Sequence, residues 1–159
     1  MTTYDTEWTL TRAMTITGTR STGHRSLNEY AVIFTDYLAP FAVDGHFYVG
    51  GAKGIDSLAL LWLAGRTDAD ITVVVPGSVD QQPVEAQQAI ARTRGRIEEI
   101  VELRATDLGV PAYHSRNRWM VDRSGMTIGF PHGDDPSSGT WQTLRYTRDQ
   151  GKPRLIVPV

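Results

Sequence analysis

The sequence lacks cysteine, and it also lacks long apolar runs and an excess of charge of either sign. Without cysteine, disulfide scaffolds, thiol nucleophiles and thiolate metal sites are excluded, so any chemistry rests on His, Asp, Glu, Ser and backbone amides. No apolar run approaches the roughly 20 residues of a membrane span, and residues 1–11 do not resemble a secretion signal, so we expect a cytoplasmic protein without membrane contact. A formal net charge of -2 gives no overall attraction to nucleic acid.

The sequence instead contains an alternation of short apolar strands and helices with apolar residues at helical spacing, and most strands stop at Gly or Pro. Repeated strand-helix-strand units predict a mostly parallel sheet with helices on both faces, which is a three-layer Rossmann-like α/β domain. We expect one domain over 1–159, with 1–12 as a short N-terminal extension. Residues 97–103 fit either a strand or a continuation of the preceding helix, and we predict a strand. The predicted strands are 13–17, 46–49, 71–75, 97–103, 126–130 and 154–157, and the predicted helices are 26–41, 55–64, 83–94, 112–123 and 140–150.

Polar and glycine-rich residues cluster at the ends of predicted strands, where parallel sheets bind their ligands. The clusters are Gly18-Thr19-Arg20-Ser21, Gly50 to Asp56, Ser115 to Arg118, and Pro136 to Thr140. The last cluster leads into a helix, where free amides and the positive end of the helix dipole favour an anion. Ser137, Ser138, Gly139 and Thr140 are therefore candidate phosphate ligands, although the same residues also fit an ordinary helix cap with a tight turn.

The cluster Gly50-Gly51-Ala52-Lys53-Gly54-Ile55-Asp56 lacks the spacing of a P-loop and of the GxGxxG dinucleotide fingerprint. Its three glycines, Gly50, Gly51 and Gly54, nevertheless allow the backbone around Ala52 to approach a ligand closely. Asp56 stands at the predicted start of a helix, where it fits either an acceptor for a ribose hydroxyl or a helix cap.

Two arginines, Arg116 and Arg118, flank Asn117 on a predicted helix. Because residues two apart on a helix point in different directions, we expect only one of the two to face the ligand. Arg20, after the first strand, is the second candidate cation for a phosphate or carboxylate, with an ordinary surface arginine as the alternative.

Other polar and aromatic residues give weaker signals. The four histidines (24, 46, 114 and 132) show no metal-ligand spacing, so we expect no metal site, and no motif indicates a bound cofactor. Trp119 and Trp141 adjoin the candidate site, where stacking on a base is one interpretation. Asp134 and Asp135 lie close to the candidate phosphate loop, and we expect them to face solvent.

Taken together, Gly18-Thr19-Arg20-Ser21, Gly50 to Asp56, Arg116-Asn117-Arg118-Trp119-Met120 and Ser138-Gly139-Thr140 resemble the motif set of the SLOG superfamily, along residues 13–158. That superfamily contains the DNA-processing protein DprA (Smf), the LOG-type "lysine decarboxylase-like" phosphoribohydrolases and the YspA/YpsA-related proteins. The glycine-rich cluster is most similar to DprA, while the short length and Phe130-Pro131 look like the YspA-related branch. The resemblance implies a nucleotide or nucleotide-derived ligand at the strand ends, and a homodimer.

The sequence departs from the LOG pattern Pro-Gly-Gly-x-Gly-Thr-x-x-Glu, in which the glutamate assists cleavage of the N-glycosidic bond. Here Thr143 stands at the glutamate position, and a threonine cannot replace a carboxylate as general base or stabilise an oxocarbenium charge. Arg116 matches the LOG arginine and is the candidate catalytic residue. A hydrolase would need Asp56, Asp134 or Asp135 in place of the glutamate.

Three functions follow from these observations. The first is a sensor or sequestering module that binds a nucleotide or ribosyl phosphate through the Gly18 to Arg20 loop, Ser138, Gly139 and Thr140, with Arg116 as counter-cation. The second is a phosphoribohydrolase that cleaves the N-glycosidic bond of a nucleoside 5'-monophosphate. The third is a DprA-like single-stranded DNA binder, which the net charge disfavours.

Overall fold

The computed structural model describes residues 12–159, so the predicted N-terminal extension lies outside the described residues except for its last position. Six strands form one sheet in which every neighbouring pair is parallel, as the sequence predicts. Both faces of its inner strands are covered, as is typical of a parallel sheet between two layers of helices. One face is apolar, whereas the other carries buried threonines, of which Thr15 is hydrogen-bonded to Ser124 and Thr127 to Thr147. The strands are β1 Ala13–Gly18, β2 His46–Gly50, β3 Asp70–Val75, β4 Glu99–Glu102, β5 Met126–Phe130 and β6 Arg154–Ile156.

Five helices connect the strands: α1 Leu27–Tyr37, α2 Ile55–Arg66, α3 Val84–Thr93, α4 Val110–Asp122 and α5 Gly139–Asp149. Among them α1 contacts α2 and α2 contacts α3, while α4 contacts α5. With right-handed crossovers, the first three helices cover one face of the sheet and the last two cover the other. This arrangement confirms the three-layer Rossmann-like architecture.

Two predicted elements, at 26–41 and 97–103, have different outcomes in the structure. The predicted continuous helix 26–41 is wrong near its end, because α1 ends at Tyr37 and a separate helical turn covers Ala39–Ala42. Pro40 is the physical reason, since proline has no N–H to donate and its ring clashes with the carbonyl one turn earlier. The prediction of a strand within 97–103 is confirmed, because Glu99–Glu102 pairs in parallel with β3.

The strand order β4-β3-β2-β1-β5-β6 determines where a ligand-binding crevice can form. The chain steps outward from β1 to β4 in one direction and then returns to add β5 on the other side of β1. Ile16 in the middle of β1 thus pairs with Val49 of β2 on one side and with Ile128 of β5 on the other. The loops after β1 and β5 leave the sheet toward opposite faces, which opens a crevice between the carboxyl ends of these two strands.

The hydrophobic core lies on the face of the sheet that α1, α2 and α3 cover. Phe34 of α1 packs edge-on against Phe130 of β5, with their ring centroids 5.5 Å apart. Ile16, Phe47 and Ile128 are fully buried. Within residues 12–159, no helix is long and apolar enough to cross a membrane.

Candidate ligand-binding site

A cleft of about 400 Å³ opens at the crevice between β1 and β5. This volume lies within the range of small-molecule sites, roughly 300–1,000 Å³. Four segments that are distant in sequence line it: the end of β1 and its following loop, the loop and first turn of α2, one side of α4, and the loop that enters α5. Of the predicted site residues, the lining includes Gly18, Thr19, Arg20, Ala52, Asp56, Arg116, Asn117, Ser137, Ser138, Gly139 and Thr140.

The N-terminus of α5 forms one wall of this cleft. The side chain of Ser138 is the helix cap, because its Oγ accepts a hydrogen bond from the amide of Trp141 at 3.2 Å. Asp135 Oδ1 accepts from both the amide and the hydroxyl of Ser137, at 2.9 and 2.7 Å, and these bonds lower the pKa of Asp135. Within residues 12–159 the amides of Gly139 and Thr140 have no acceptor. These two amides and the helix dipole therefore offer an anion-binding position.

Arg116 is buried, with 3% of its surface exposed, whereas Arg118 is exposed outside the cleft. Only one of the two thus faces the cleft, as the helical spacing predicts. Arg116 Nε donates to Asn117 Oδ1 at 2.7 Å, and its Nη1 donates to the carbonyl of Val74 at 3.3 Å. Burial lowers the pKa of Arg116 while the charge of Asp56 opposes this effect, and the guanidinium stays charged near neutral pH.

The bond from Arg116 also orients the amide of Asn117. Because a guanidinium can only donate, the amide oxygen of Asn117 faces Arg116 and its Nδ2 group points elsewhere. Nδ2 lies 4.0 Å from the place that a Cβ on Gly139 would occupy, beside the open amides of α5. Arg116 thus holds an additional donor, Asn117 Nδ2, toward the anion-binding position.

Asp56 is the one carboxylate among the described residues that line the cleft. Its Oδ2 accepts from the amide of Ala52 at 3.3 Å, so it braces the loop before α2. Burial raises the pKa of Asp56 to about 6, against the opposing effects of Arg116, the Ala52 amide and Arg20. A carboxyl with this pKa exchanges a proton near neutral pH, which a general acid requires.

Most of the glycine-rich cluster packs under the residues that line the cleft and is not itself part of the lining. Gly50, Gly51 and Gly54 do not line the cleft. A Cβ on Gly50 would sit 2.6 Å from Asp56 Oδ2 and 2.7 Å from Arg116 Nη1, so this glycine makes room for both charged groups. Gly54 has φ +78°, and a Cβ there would sit 2.5 Å from the carbonyl oxygen of Thr19. These two glycines shape the cleft by packing, whereas the sequence suggests direct approach to a ligand.

Arg20 reaches across the cleft mouth to α4. Its guanidinium lies over the ring of Tyr113, 4.9 Å from the centroid, in a cation–π contact. Sequence reasoning does not single out Tyr113, since an aromatic residue on a helix is typical of a core position. It also assigns no binding role to His114 and His132, which line the cleft as well. His132 stacks on His24 with their ring centroids 3.8 Å apart.

Several other singled-out residues lie outside the cleft. Trp119 packs against Tyr48 and under the guanidinium of Arg123. Trp141 donates from its indole N–H to the carbonyl of Gly133 at 2.9 Å. Thr143, at the LOG glutamate position, is buried and donates to the carbonyl of Gly139 at 2.7 Å. Neither tryptophan belongs to the cleft lining, nor does Thr143, Asp134 or Asp135.

No protein-family model and no curated protein sequence matches this chain. The chain is similar to a solved structure, the X-ray structure of DNA processing protein A (DprA) from Streptococcus pneumoniae, with a TM-score of 0.69. The chain has a DprA-like fold. The similarity covers 94% of this chain and 51% of the DprA chain, so this chain spans about half the length of its structural neighbour. At 16% sequence identity, what this chain shares with DprA is the fold.

The DprA-like domain therefore gathers a defined set of groups at the β1/β5 crevice. Two open amides and the Asn117 amide supply neutral donors, Arg20 and Arg116 supply positive charge, and Asp56 supplies a carboxyl that titrates near neutral pH. Such a set suits recognition of an anion attached to a polar body.

Proposed function

We propose that this chain binds a nucleotide or nucleotide-derived ligand in the cleft between β1 and β5. The phosphate lies on the amides of Gly139 and Thr140, with Asn117 Nδ2 as a third donor and Arg116 as counter-charge. The observation that carries the proposal is the α5 N-terminus, because it opens two unpaired amides into a cleft that also holds a buried arginine.

The rest of the cleft suits the sugar and base of such a ligand. Tyr113, His114 and His132 present flat rings, and Asp56 and the Thr19 hydroxyl present polar groups, along the same lining. The volume of about 400 Å³ has room for more than a free phosphate. In this function the protein is a sensor or sequestering module with no required cofactor.

A substitution at Gly139 tests this proposal. A Cβ at this position meets nothing closer than 4.0 Å, and an acidic residue is favourable in the first turn of a helix, so Gly139→Asp is expected to fold normally. Its carboxylate would repel a phosphate at the same amides, which predicts a loss of affinity of at least roughly 100-fold, the lower limit for two charged hydrogen bonds. Gly95→Asp, at a position with open space around it, is the matched control.

The measurement is a thermal-shift screen of the wild-type protein followed by calorimetric titration of each hit. The panel comprises nucleoside mono- and diphosphates, cyclic nucleotides, ADP-ribose and short single-stranded DNA. A ligand raises the melting temperature when it prefers the folded state. A panel without any stabilising nucleotide, or a Gly139→Asp protein with wild-type affinity, would refute the proposal.

A phosphoribohydrolase activity is the second candidate, and Asp56 is the observation that favours it. This residue is a buried carboxyl in the cleft lining with a pKa of about 6, although Thr143 occupies the LOG glutamate position outside the cleft. If Asp56 protonates a leaving base, release of free base should fall above about pH 6. Chromatography of each bound nucleotide for released base distinguishes hydrolysis from binding alone.

Single-stranded DNA binding is the third candidate, since DprA is by its name a DNA processing protein. The cations that would serve it here are Arg20, Lys53, Arg116 and Arg118. Its mark is a steep loss of affinity with added salt, and a screen in which DNA alone stabilises the protein would favour it over both other functions.

A further inference from the structure

A second cavity, of about 210 Å³, lies beside the cleft between α4 and α5. On one side it is lined by His114, Asn117 and Arg118 of α4, and on the other by two turns of α5 from Gln142 to Asp149. His114 and Asn117 also line the cleft, so the two cavities meet at these side chains. We call this second cavity the α4–α5 groove.

Two arginines of the groove form no ion pair among residues 12–159. They are Arg118 and Arg145. Arg118 donates to Ser115 Oγ at 3.2 Å. The one carboxylate in the lining, Asp149, already accepts from the guanidinium of Arg148 at 3.1 Å. The two guanidinium groups are therefore available to an anion from outside.

The other polar groups along the groove leave this charge in place. Burial and then the charge of Arg118 lower the pKa of His114, which favours the neutral imidazole with one donor and one acceptor nitrogen. Tyr146 donates its hydroxyl to Asp122 Oδ1 at 2.6 Å, so this phenol hydrogen is already used. The groove thus offers the guanidinium groups of Arg118 and Arg145 and the ring of His114 to a single anionic group of a ligand.

The position of the groove limits what it can hold. Arg145 follows Thr140 by five residues, which is about 8 Å along the axis of α5. His114 and Asn117 stand at the junction between the two arginines and the amides of Gly139 and Thr140. In a diphosphate the two phosphorus atoms share one bridging oxygen, so its second phosphate would stay in the cleft. A phosphate in the groove must be separated from the first by a spacer of about the size of a ribose.

We propose that the α4–α5 groove is a second anion site, in which Arg118 and Arg145 hold another phosphate of the ligand whose first phosphate lies at Gly139 and Thr140. The ligand class is a nucleotide with phosphates on both sides of one ribose, either a free nucleoside 3',5'-bisphosphate or the same unit at the 5' end of a strand. This inference rests on the proposed function, which supplies the first phosphate position.

The test compares nucleoside 5'-monophosphates, 5'-diphosphates and 3',5'-bisphosphates of the four common bases by calorimetric titration of the full chain. The bisphosphate is expected to bind at least roughly tenfold more tightly than the monophosphate, the gain of one charged hydrogen bond, while the diphosphate shows no such gain. Arg118→Gln and Arg145→Gln remove the gain and leave monophosphate affinity unchanged. Arg92→Gln, an exposed arginine on α3, is the matched control for the lost charge.

The outcomes separate this inference from the proposed function. Equal affinity for monophosphate and bisphosphate, or a gain that survives both substitutions, overturns the second site while the first stands. Absence of binding by every nucleotide, or binding that Gly139→Asp leaves intact, overturns both. A 5'-phosphorylated trinucleotide identifies the source of the unit: binding tighter than the bisphosphate, and weakened by Arg118→Gln, supports the strand end, and weaker binding supports the free nucleotide.

Discussion

Gly50→Ala is the sharpest test of how the cleft is built. The added Cβ would sit 2.6 Å from Asp56 Oδ2, 2.7 Å from Arg116 Nη1 and 2.8 Å from Arg116 Cζ. Ordinary van der Waals contact begins near 3.4 Å. Both charged groups must therefore move by most of an ångström, although both are buried, with 7% of Asp56 and 3% of Arg116 exposed.

The expected loss of stability follows from what holds these groups. The ends of flexible side chains usually yield at little cost, but Arg116 is tied to Asn117 and Val74, and Asp56 is tied to the amide of Ala52. Overpacking of a close-packed site costs about 1–3 kcal/mol. Weakening one charged hydrogen bond adds to this, so we expect the free energy of unfolding to fall by about 2–4 kcal/mol. Since domains of this size are stable by roughly 5–15 kcal/mol, the variant should still fold.

The assay is urea denaturation of the wild type and variant, with ligand affinity as a second readout. Gly65→Ala is the control, because Gly65 lies inside α2 with open space where its Cβ would be. The control should gain about 0.5–1 kcal/mol from the higher helix propensity of alanine. If Gly50→Ala loses less than about 1 kcal/mol and keeps full ligand affinity, the packing of Asp56 and Arg116 against Gly50 is refuted.

The remaining predictions concern the same two charged groups. Because the pKa of Asp56 is raised to about 6, its contribution to the free energy of unfolding is full below about pH 4 and is lost as the pH rises through 6. The wild type should therefore lose up to about 3 kcal/mol relative to Asp56→Asn between pH 4 and 7, and parallel urea-unfolding curves across this range would contradict the buried carboxyl. Arg116→Ala should weaken nucleotide binding by about 1.5–3 kcal/mol in calorimetric titration, and an effect near zero would leave Arg116 a purely structural role.

The architecture was predictable because its signals are local. Each inner strand is a short apolar run that stops at a glycine or proline, and the parallel pairing follows from the helices between them. The order of motifs along the chain also placed Gly18, Arg116 and Gly139 at one edge of the sheet, where the cleft lies. The position of the cleft could be predicted because the carboxyl ends of parallel strands lie at one edge of the sheet.

The roles of individual residues in the cleft depend on which side chains contact them in the folded chain, and sequence patterns do not show these contacts. The sequence suggests that Gly50 lets a ligand approach the backbone, but the space beside Gly50 is filled by the side chains of Asp56 and Arg116. Tyr113 carries no distinguishing sequence signal, but its ring lies under Arg20 at the cleft mouth. Ser137 looks like a phosphate ligand, but its amide and hydroxyl are bonded to Asp135. A neighbour distant in sequence decides the role of Gly50 and of Tyr113, whereas a contact two residues away decides that of Ser137.

The strand order has a consequence for the way the domain opens. The two walls of the cleft come from segments more than a hundred residues apart, the loop after β1 and the start of α5, and the amide of Thr19 is bonded to the carbonyl of Phe130 at 3.0 Å between them. Separation of β5, α5 and β6 from the rest of the sheet would dismantle the cleft. A ligand that contacts both walls opposes this partial unfolding and so slows amide hydrogen exchange in β5 and β6. Exchange in these two strands therefore reports whether the cleft is occupied, although the strands themselves contribute little direct contact to it.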